Sequence, residues 1–517
     1  MYFFEESTKK RIAQVSCAVI WCLFGAGPIF GFAALKPILI DQGIYQNLCI
    51  KPPTNEIFAQ DFTSNCTEQD LKLNMMFTAG AALTNVSALI IGRTLDTYGP
   101  RLCGLIGAFF LFSACFIFIN AKSISFFDPY LVGYSLMALG GPFSYISSFQ
   151  LSNAFPEKSG LILALLTGAF DTSSAVFLFY QKLYLKNPSF FTLGTFYKIY
   201  LAVPIFITFV QFFIMPKESY LTPPPELIPN PTEEQRALSA AAAEEENLHA
   251  STPSEHTPLV DSNPAPLQRR RSSLGDAYKS LYIEEEILES AKSKTQLSYS
   301  IFGVLHGRSA AEQFKTWWFV LMCAFATIQM LRLNYFVATV NSQYAYLFHS
   351  NKKASALNRI FDVALPLGGV VSIPFVGIFL DNFCTFVVLS ALLAVSLLIG
   401  TLGCIQNNWT AGVINVIIFV CYRPFFYTSI SDYCAKVFGF ETFGTIYGSI
   451  MTVAGLVNFG QSFLDVWTHT IFEMNPIPLN LVLLAFTVII GASTVIFVGL
   501  KSKEWALVKL KGGVMSA

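Results

Sequence analysis

Apolar positions in this chain come in runs of about 20 residues, the length a helix needs to cross the hydrocarbon core of a bilayer. Six such runs fall near residues 12–40, 73–95, 102–121, 129–152, 159–182 and 196–215. Six more fall near 317–340, 358–380, 383–404, 411–432, 443–465 and 479–499. Two pairs of runs meet at very short connections, near 97–101 and 381–384. The pattern predicts an all-α polytopic membrane protein with 12 transmembrane helices in two six-helix halves. The halves cover 1–215 and 314–500, and a cytosolic tail follows over 501–517.

The stretch between them, 216–313, is of another kind. It holds TPPPELIPNPTEEQ, an Ala/Glu tract, STPSEHTPLVDSNPAP and RRRSS. Proline, serine and charge with few aromatics bury too little surface to offset the entropy of ordering, so a largely disordered cytosolic loop is expected. Its last third, YKSLYIEEEILESAKSK, has the pattern of a surface amphipathic helix.

Composition sharpens the membrane reading. Only 13% of residues are charged, about half the share in soluble proteins, and 50 phenylalanines fit lipid-facing helices better than one aqueous core. The net charge is zero, so nothing points to nucleic acid. Eleven cysteines without paired spacing argue against zinc and against a disulfide scaffold. No Gly-rich phosphate loop, metal cluster or Ser/His/Asp arrangement supports an enzyme, and no cofactor is expected. The first apolar run is too long for the core of a signal peptide, so the first helix is expected to be retained.

Orientation carries a weak signal: roughly eleven Lys/Arg on the expected cytosolic side against about nine outside. The basic tail KSKEWALVKLKGG leans the same way. So does a glycosylation sequon at Asn65-Cys66-Thr67 in the first exterior loop. A second sequon at Asn408 lies close to the membrane. Cys49 and Cys66 share that first loop and are candidates for a disulfide, two free thiols being the alternative.

Ionisable residues inside spans cost roughly 2.5–3.5 kcal/mol each on the lenient insertion scale, which makes each a functional candidate. Asp171, with Ser173 beside it, lies mid-run in GAFDTSSAVF, and Arg423 mid-run in CYRPFFYTSISDY. Arg332, in MLRLNYFVATVNSQ, falls nearer the exterior end of its run and reads as an outer-gate or upper-cavity residue, with Asn334 and Tyr335 completing a polar face. Two readings stand for these charges: a structural ion pair, or the lining of a central cavity for a polar or zwitterionic solute. Gly25, Gly27, Pro28 and Gly31 in the first run fit either close helix packing or unwound backbone at a cavity. In the fourth run, Gln150 and Asn153 among several serines predict a face turned towards a polar path rather than lipid.

An internal repeat links the halves. The second run ends IIGRTLDTYGPR and the eighth FVGIFLDNFC, placing G-x-x-L-D (Gly92 to Asp96, Gly377 to Asp381) at corresponding positions. The first copy, with Gly92, Asp96, Gly99 and Arg101, resembles the signature loop of the major facilitator superfamily, as does the six-plus-six plan. It departs from that pattern at Thr97 and Pro100. As a gating latch, its aspartate is expected to meet both a nearby arginine and the positive N-terminus of another helix.

Within the superfamily, GFAALKPILIDQGIYQNLC (31–49), GAFDTSSAV (168–176), LRLNYFVATVN (331–341) and RPFFYTSISDYCAKVFGFETFGTIYG (423–448) together resemble the solute carrier family 43 large neutral amino-acid transporters and their fungal relatives. The resemblance implies alternating access and sodium-independent movement of large neutral amino acids. It also implies a cavity or gates formed by the first-helix glycines, Asp171, Arg332, Asn334, Tyr335 and Arg423. The fourth run lacks the arginine of many proton antiporters, so facilitated diffusion fits better than proton coupling. A monocarboxylate-type carrier and a non-transporting nutrient receptor are the alternatives. The central loop looks fungal and points to a vacuolar membrane, with Glu255–Val260 close to an acidic dileucine address. Ser272 and Ser273 after three arginines form a candidate phosphorylation site.

Overall fold

The computed structural model describes residues 7–49, 67–155, 158–216, 220 and 301–515, which are helical with no strand among them. The candidate glycosylation site Asn65, Cys66, the phosphorylation candidates Ser272 and Ser273, and the expected amphipathic segment lie outside these residues. Among the described residues nine helices are long and apolar enough to cross a membrane, ten when Thr8–Ala26 and Pro28–Asp41 count as one bent span. One of the nine, Lys72–Ile119, is 48 residues long and holds two spans. At Gly99 its backbone turns to φ 82°, ψ 170°, which glycine adopts without a Cβ clash, and Pro100 restarts the helix. The fourth expected span is the helix Pro129–Ile146, continued through a 3-10 turn, Phe149–Ala154; counted with the two spans of Lys72–Ile119 it is consistent with the expected twelve among the described residues.

The remaining spans, fifth to twelfth, are Ser159–Lys186, Leu193–Phe213, Trp317–Phe348, Asn351–Asn382, Thr385–Leu402, Trp409–Phe438, Phe443–Thr468 and Ile477–Trp505. Several outrun their apolar runs. The eighth begins at Asn351 because the Ser350 side chain caps it, accepting from the Lys353 N–H. The tenth continues past residue 432 to Phe438. Backbone hydrogen bonds and caps set a helix end, whereas apolar runs report only its lipid-facing length.

Sequence also explains the first span's 44° bend. A π turn over Cys22–Ala26 gives way at Gly27 to a 3-10 turn over Pro28–Gly31, and Pro28 has no N–H to continue the ladder. Gly25 packs on the third and sixth spans: a Cβ there would lie 3.4 Å from Leu111 and 3.2 Å from Val203. Gly31 is pressed against the Ser174 carbonyl of the fifth span.

Both halves share one end, which we call the loop end. There Arg11 donates to the Ala154 carbonyl at 2.8 Å, Gln14 to the Ile214 carbonyl at 2.9 Å, and Trp505 to the Phe302 carbonyl at 3.3 Å. The halves meet from this end inwards through two crossings, second span on eleventh and fifth on eighth. Further out, Phe32–Asp41 and Ala175–Lys186 of the first half pack on each other.

Candidate functional site

At the loop end each repeated aspartate seals the start of a helix in the opposite half. Asp96 accepts from the backbone N–H groups of Gly444 at 2.8 Å and Thr445 at 2.6 Å, the beginning of the eleventh span. Asp381 accepts from those of Gly160 at 2.7 Å and Leu161 at 3.1 Å, the beginning of the fifth. The first N–H groups of a helix have no partner within it and carry the positive end of its dipole, so a carboxylate is the fitting cap. In both places the first capped residue is a glycine. A Cβ on Gly444 would come 2.7 Å from Asp96 Oδ1, and one on Gly160 2.6 Å from Asp381 Oδ1. Gly92 and Gly444 meet backbone to backbone, and a Cβ on Gly377 would come 2.8 Å from the Leu161 Cα. Arg101, expected to meet Asp96, instead donates to the Met215 carbonyl of its own half. The chain's turn at Gly99 sends the two residues to different partners.

Midway through the bundle the fifth and tenth spans place Asp171 and Arg423 3.7 Å apart, across the two halves. Asp171 is buried, Arg423 keeps 11% of its side chain exposed, and neither carboxylate oxygen of Asp171 has a hydrogen bond. The bend in the first span brings Phe30 under the guanidinium at 5.9 Å, and Tyr427 flanks it at 6.0 Å. Phe170 stacks on Tyr145 at 4.5 Å, and the Tyr145 hydroxyl donates to Thr167 at 3.1 Å. Ser173 donates to the Phe170 carbonyl and faces Gly27, where a Cβ would lie 2.8 Å from its Oγ. Gly27, Ser173, Asp171 and Arg423 are thus gathered around one charged, aromatic-lined point between the halves.

Other expected cavity residues stand elsewhere. Gln150 and Asn153 hold Tyr220 at the loop end: Gln150 accepts from the Tyr220 N–H at 2.9 Å and Asn153 donates to its carbonyl at 2.9 Å. The Tyr220 hydroxyl donates to Gln14 at 2.7 Å. These amides sit in the 3-10 turn that closes the fourth span, so they tie the start of the central loop rather than line a mid-depth path. Gly25 and Gly31 are packing positions, as described above.

Arg332 also departs from its expected place. The seventh span runs on to Phe348, which puts Arg332 midway along it rather than near an end. Its guanidinium stays inside the second half, donating to Ser396 Oγ at 2.6 Å and Thr487 Oγ1 at 3.0 Å. Tyr335 shares that face, its hydroxyl 2.7 Å from Thr468. Asn334, two residues from Arg332 at about 100° per residue, stands on the opposite side of the helix.

Sequence reasoning passed over Asp432 and Lys436, paired at 2.7 Å near the Asp381 cap. Their i, i+4 spacing was the available signal, hidden because the apolar run stops at 432. It also passed over Gly160, which no motif marks, and Gly444, which stands unremarked inside the stretch 423–448. Cys49 is disulfide-bonded. Asn408, the second sequon, caps the tenth span by accepting from the Ala411 N–H at 3.0 Å.

Comparisons with known proteins agree with this architecture. The model of the Major Facilitator Superfamily matches residues 29–461. Protein FMP42 of Saccharomyces cerevisiae is 46% identical over 508 residues, 94% of each chain. The Large neutral amino acids transporter small subunit 3 of Homo sapiens is 27% identical over 177 residues, 34% of this chain and 32% of that protein. The Equilibrative nucleobase transporter 1 of Bos taurus is 26% identical over 179 residues, 35% of this chain and 36% of that one. A solved structure of a double-Trp XylE mutant shares the fold at a TM-score of 0.60 and 12% identity, over 96% of both chains.

Proposed function

Because the chain belongs to the Major Facilitator Superfamily and is a membrane transporter rather than an enzyme, we propose that it carries large neutral amino acids by alternating access, without sodium. The observation that carries this reading is the Asp171–Arg423 pair, buried at the junction of the halves with both carboxylate oxygens free of hydrogen bonds. A zwitterionic amino acid brings an ammonium and a carboxylate. Asp171 takes the first and Arg423 the second, so the substrate replaces one intramolecular ion pair with two. Phe30, Phe170 and Tyr427 offer apolar and aromatic surface for a large side chain, and Gly27 and Ser173 stand beside the pair at the middle of the fifth span. Similarity to a transporter named for large neutral amino acids supports the substrate class.

In this reading the empty carrier closes at the loop end through the Asp96 and Asp381 caps, with the pair reformed behind them. Removing one partner leaves a buried charge uncompensated, at about 3–5 kcal/mol. Arg423→Gln and Asp171→Asn are each expected to lower labelled leucine or phenylalanine uptake into proteoliposomes by about 100-fold or more, with membrane insertion intact. Wild-type uptake is expected to be unchanged by sodium or a proton gradient. Normal uptake by both variants overturns the site assignment.

Similarity to a nucleobase transporter supplies a second reading. A neutral base has no use for the ion pair, so adenine uptake that survives Asp171→Asn, with no amino-acid flux, transfers the substrate class to nucleobases. Residence in the vacuolar membrane, glycosylation at Asn65 and phosphorylation at Ser272 and Ser273 belong to the same proposal. Fluorescent tagging, glycosidase treatment and phosphopeptide mapping test them in turn.

A further inference from the structure

Arg332 and Arg423 are both intramembrane arginines, yet only Arg423 has a carboxylate beside it. Among the described residues no acid pairs with Arg332, which is half-buried. Its donors go to neutral oxygens: Ser396 Oγ, Thr487 Oγ1 and, at 3.1 Å, the Ser396 carbonyl. Ser396 in turn donates to Gln329 Oε1 at 2.7 Å. That bond fixes the Gln329 amide so that its nitrogen is a buried donor with no partner, on a residue only 1% exposed. Gln329, Arg332, Ser396 and Tyr422 line a cavity between the seventh, ninth, tenth and twelfth spans, walled by Phe336 and Phe419.

A cation away from water calls for a counter-charge, and here the Arg332 guanidinium stands with two buried groups left without partners, the Gln329 amide nitrogen and the Tyr422 hydroxyl, both able to donate. We propose that this cavity binds a small inorganic anion, chloride in size and charge, between Arg332 and the Gln329 amide. Its volume of about 40 Å³ decides against an organic solute, whose pockets run to roughly 300–1,000 Å³. Gly400 keeps the space open: a Cβ there would lie 2.7 Å from Arg332 Nη2. The site is separate from the Asp171–Arg423 junction, and it stands whatever solute that junction carries.

The test uses the purified full chain and measures thermal stability at fixed ionic strength as chloride replaces gluconate. A saturable rise in Tm with chloride and with bromide is expected, as for any ligand that binds the folded state alone. Gln329→Leu and Gly400→Ala, one removing the free donor and the other narrowing the cavity, are expected to raise the half-saturating halide concentration at least tenfold. An equal halide response in wild type and both variants, or none in wild type, overturns the proposal. Stabilisation by acetate but by neither halide also overturns it, in favour of a carboxylate subsite. Should either variant fail to fold, anomalous scattering from bromide-soaked wild-type crystals decides. A peak within hydrogen-bond reach of Arg332 and Gln329 supports the site, and peaks confined to other places refute it.

Discussion

The two crossings that join the halves start alike and end differently. Each begins with an aspartate capping a helix whose second residue is glycine, Asp96 on Gly444 and Asp381 on Gly160. Beyond its cap, the crossing of second and eleventh spans is backbone against backbone. Gly448 faces the Ala88 carbonyl, Gly455 packs on Asn85, and Thr452 accepts from the Leu89 N–H at 3.0 Å. The crossing of fifth and eighth spans runs past Gly168 and Gly369 to the ion pair of Asp171 and Arg423. It is backed near its cap by Lys436, 3.4 Å from the Leu380 carbonyl. One copy of the repeat joins the halves by shape, the other by shape and charge. A charged solute can compete only with the second.

The sharpest way to break this comparison is to spoil the shape. Gly444→Val puts a side chain into the Gly92 backbone, where neither partner has a flexible end to move aside. Transport is expected to fall about 100-fold, with the loop end held open to a thiol reagent at an introduced cysteine. Wild-type uptake and protection in this variant would show that the crossing is no gate. Removing charge from the caps should cost less. A carboxylate at a helix N-terminus contributes about 0.3–1 kcal/mol, up to roughly 2 when partly buried. Asp96→Asn is therefore expected to reduce transport between about 2-fold and 30-fold. Asp381→Asn should fall in the lower part of that range, because its crossing keeps the Asp171–Arg423 pair as a second tie. Uptake kinetics of the two variants side by side check the order, and the reverse order would undo the division between shape and charge.

Much of this architecture is legible in sequence because its causes are local. Lipid contact demands long apolar runs, and an internal repeat sets G-x-x-L-D in both halves, so the spans, the halves and both capping aspartates can be read from residues alone. Partners cannot. Gly160 carries no motif and Gly444 is one residue of a long one, and their value comes only from the aspartate that another half delivers. Asp171 and Arg423 stand out as costly charges, but their pairing needs the fifth span to meet the tenth. Gln150 and Asn153 mislead for the same reason: amides in an apolar run suggest a polar path, and the structure gives them the Tyr220 backbone instead. Arg332 misleads through length, since an apolar run that stops at 340 belongs to a helix that ends at 348.

The smallest expected effect concerns the charge that backs the second cap. Lys436 Nζ lies 2.7 Å from Asp432 Oδ2, and Asp432 is almost wholly buried while Lys436 keeps a quarter of its side chain exposed. Lys436→Met leaves that aspartate without its cation, and breaking a buried pair from one side costs several kcal/mol before relaxation and water entry reduce it. The loss should appear mainly as a lower Tm, since Asp381 still has both helix N–H groups. Replacing both partners removes the uncompensated charge, so Asp432→Asn with Lys436→Met should recover most of that Tm. In the double variant transport is expected to stay within about 3-fold of wild type, because the cap and the central pair are untouched. A double variant that regains stability yet loses transport would move Lys436 from support of the crossing to part of its gate, and would make charge rather than shape the working element at both ends of that crossing.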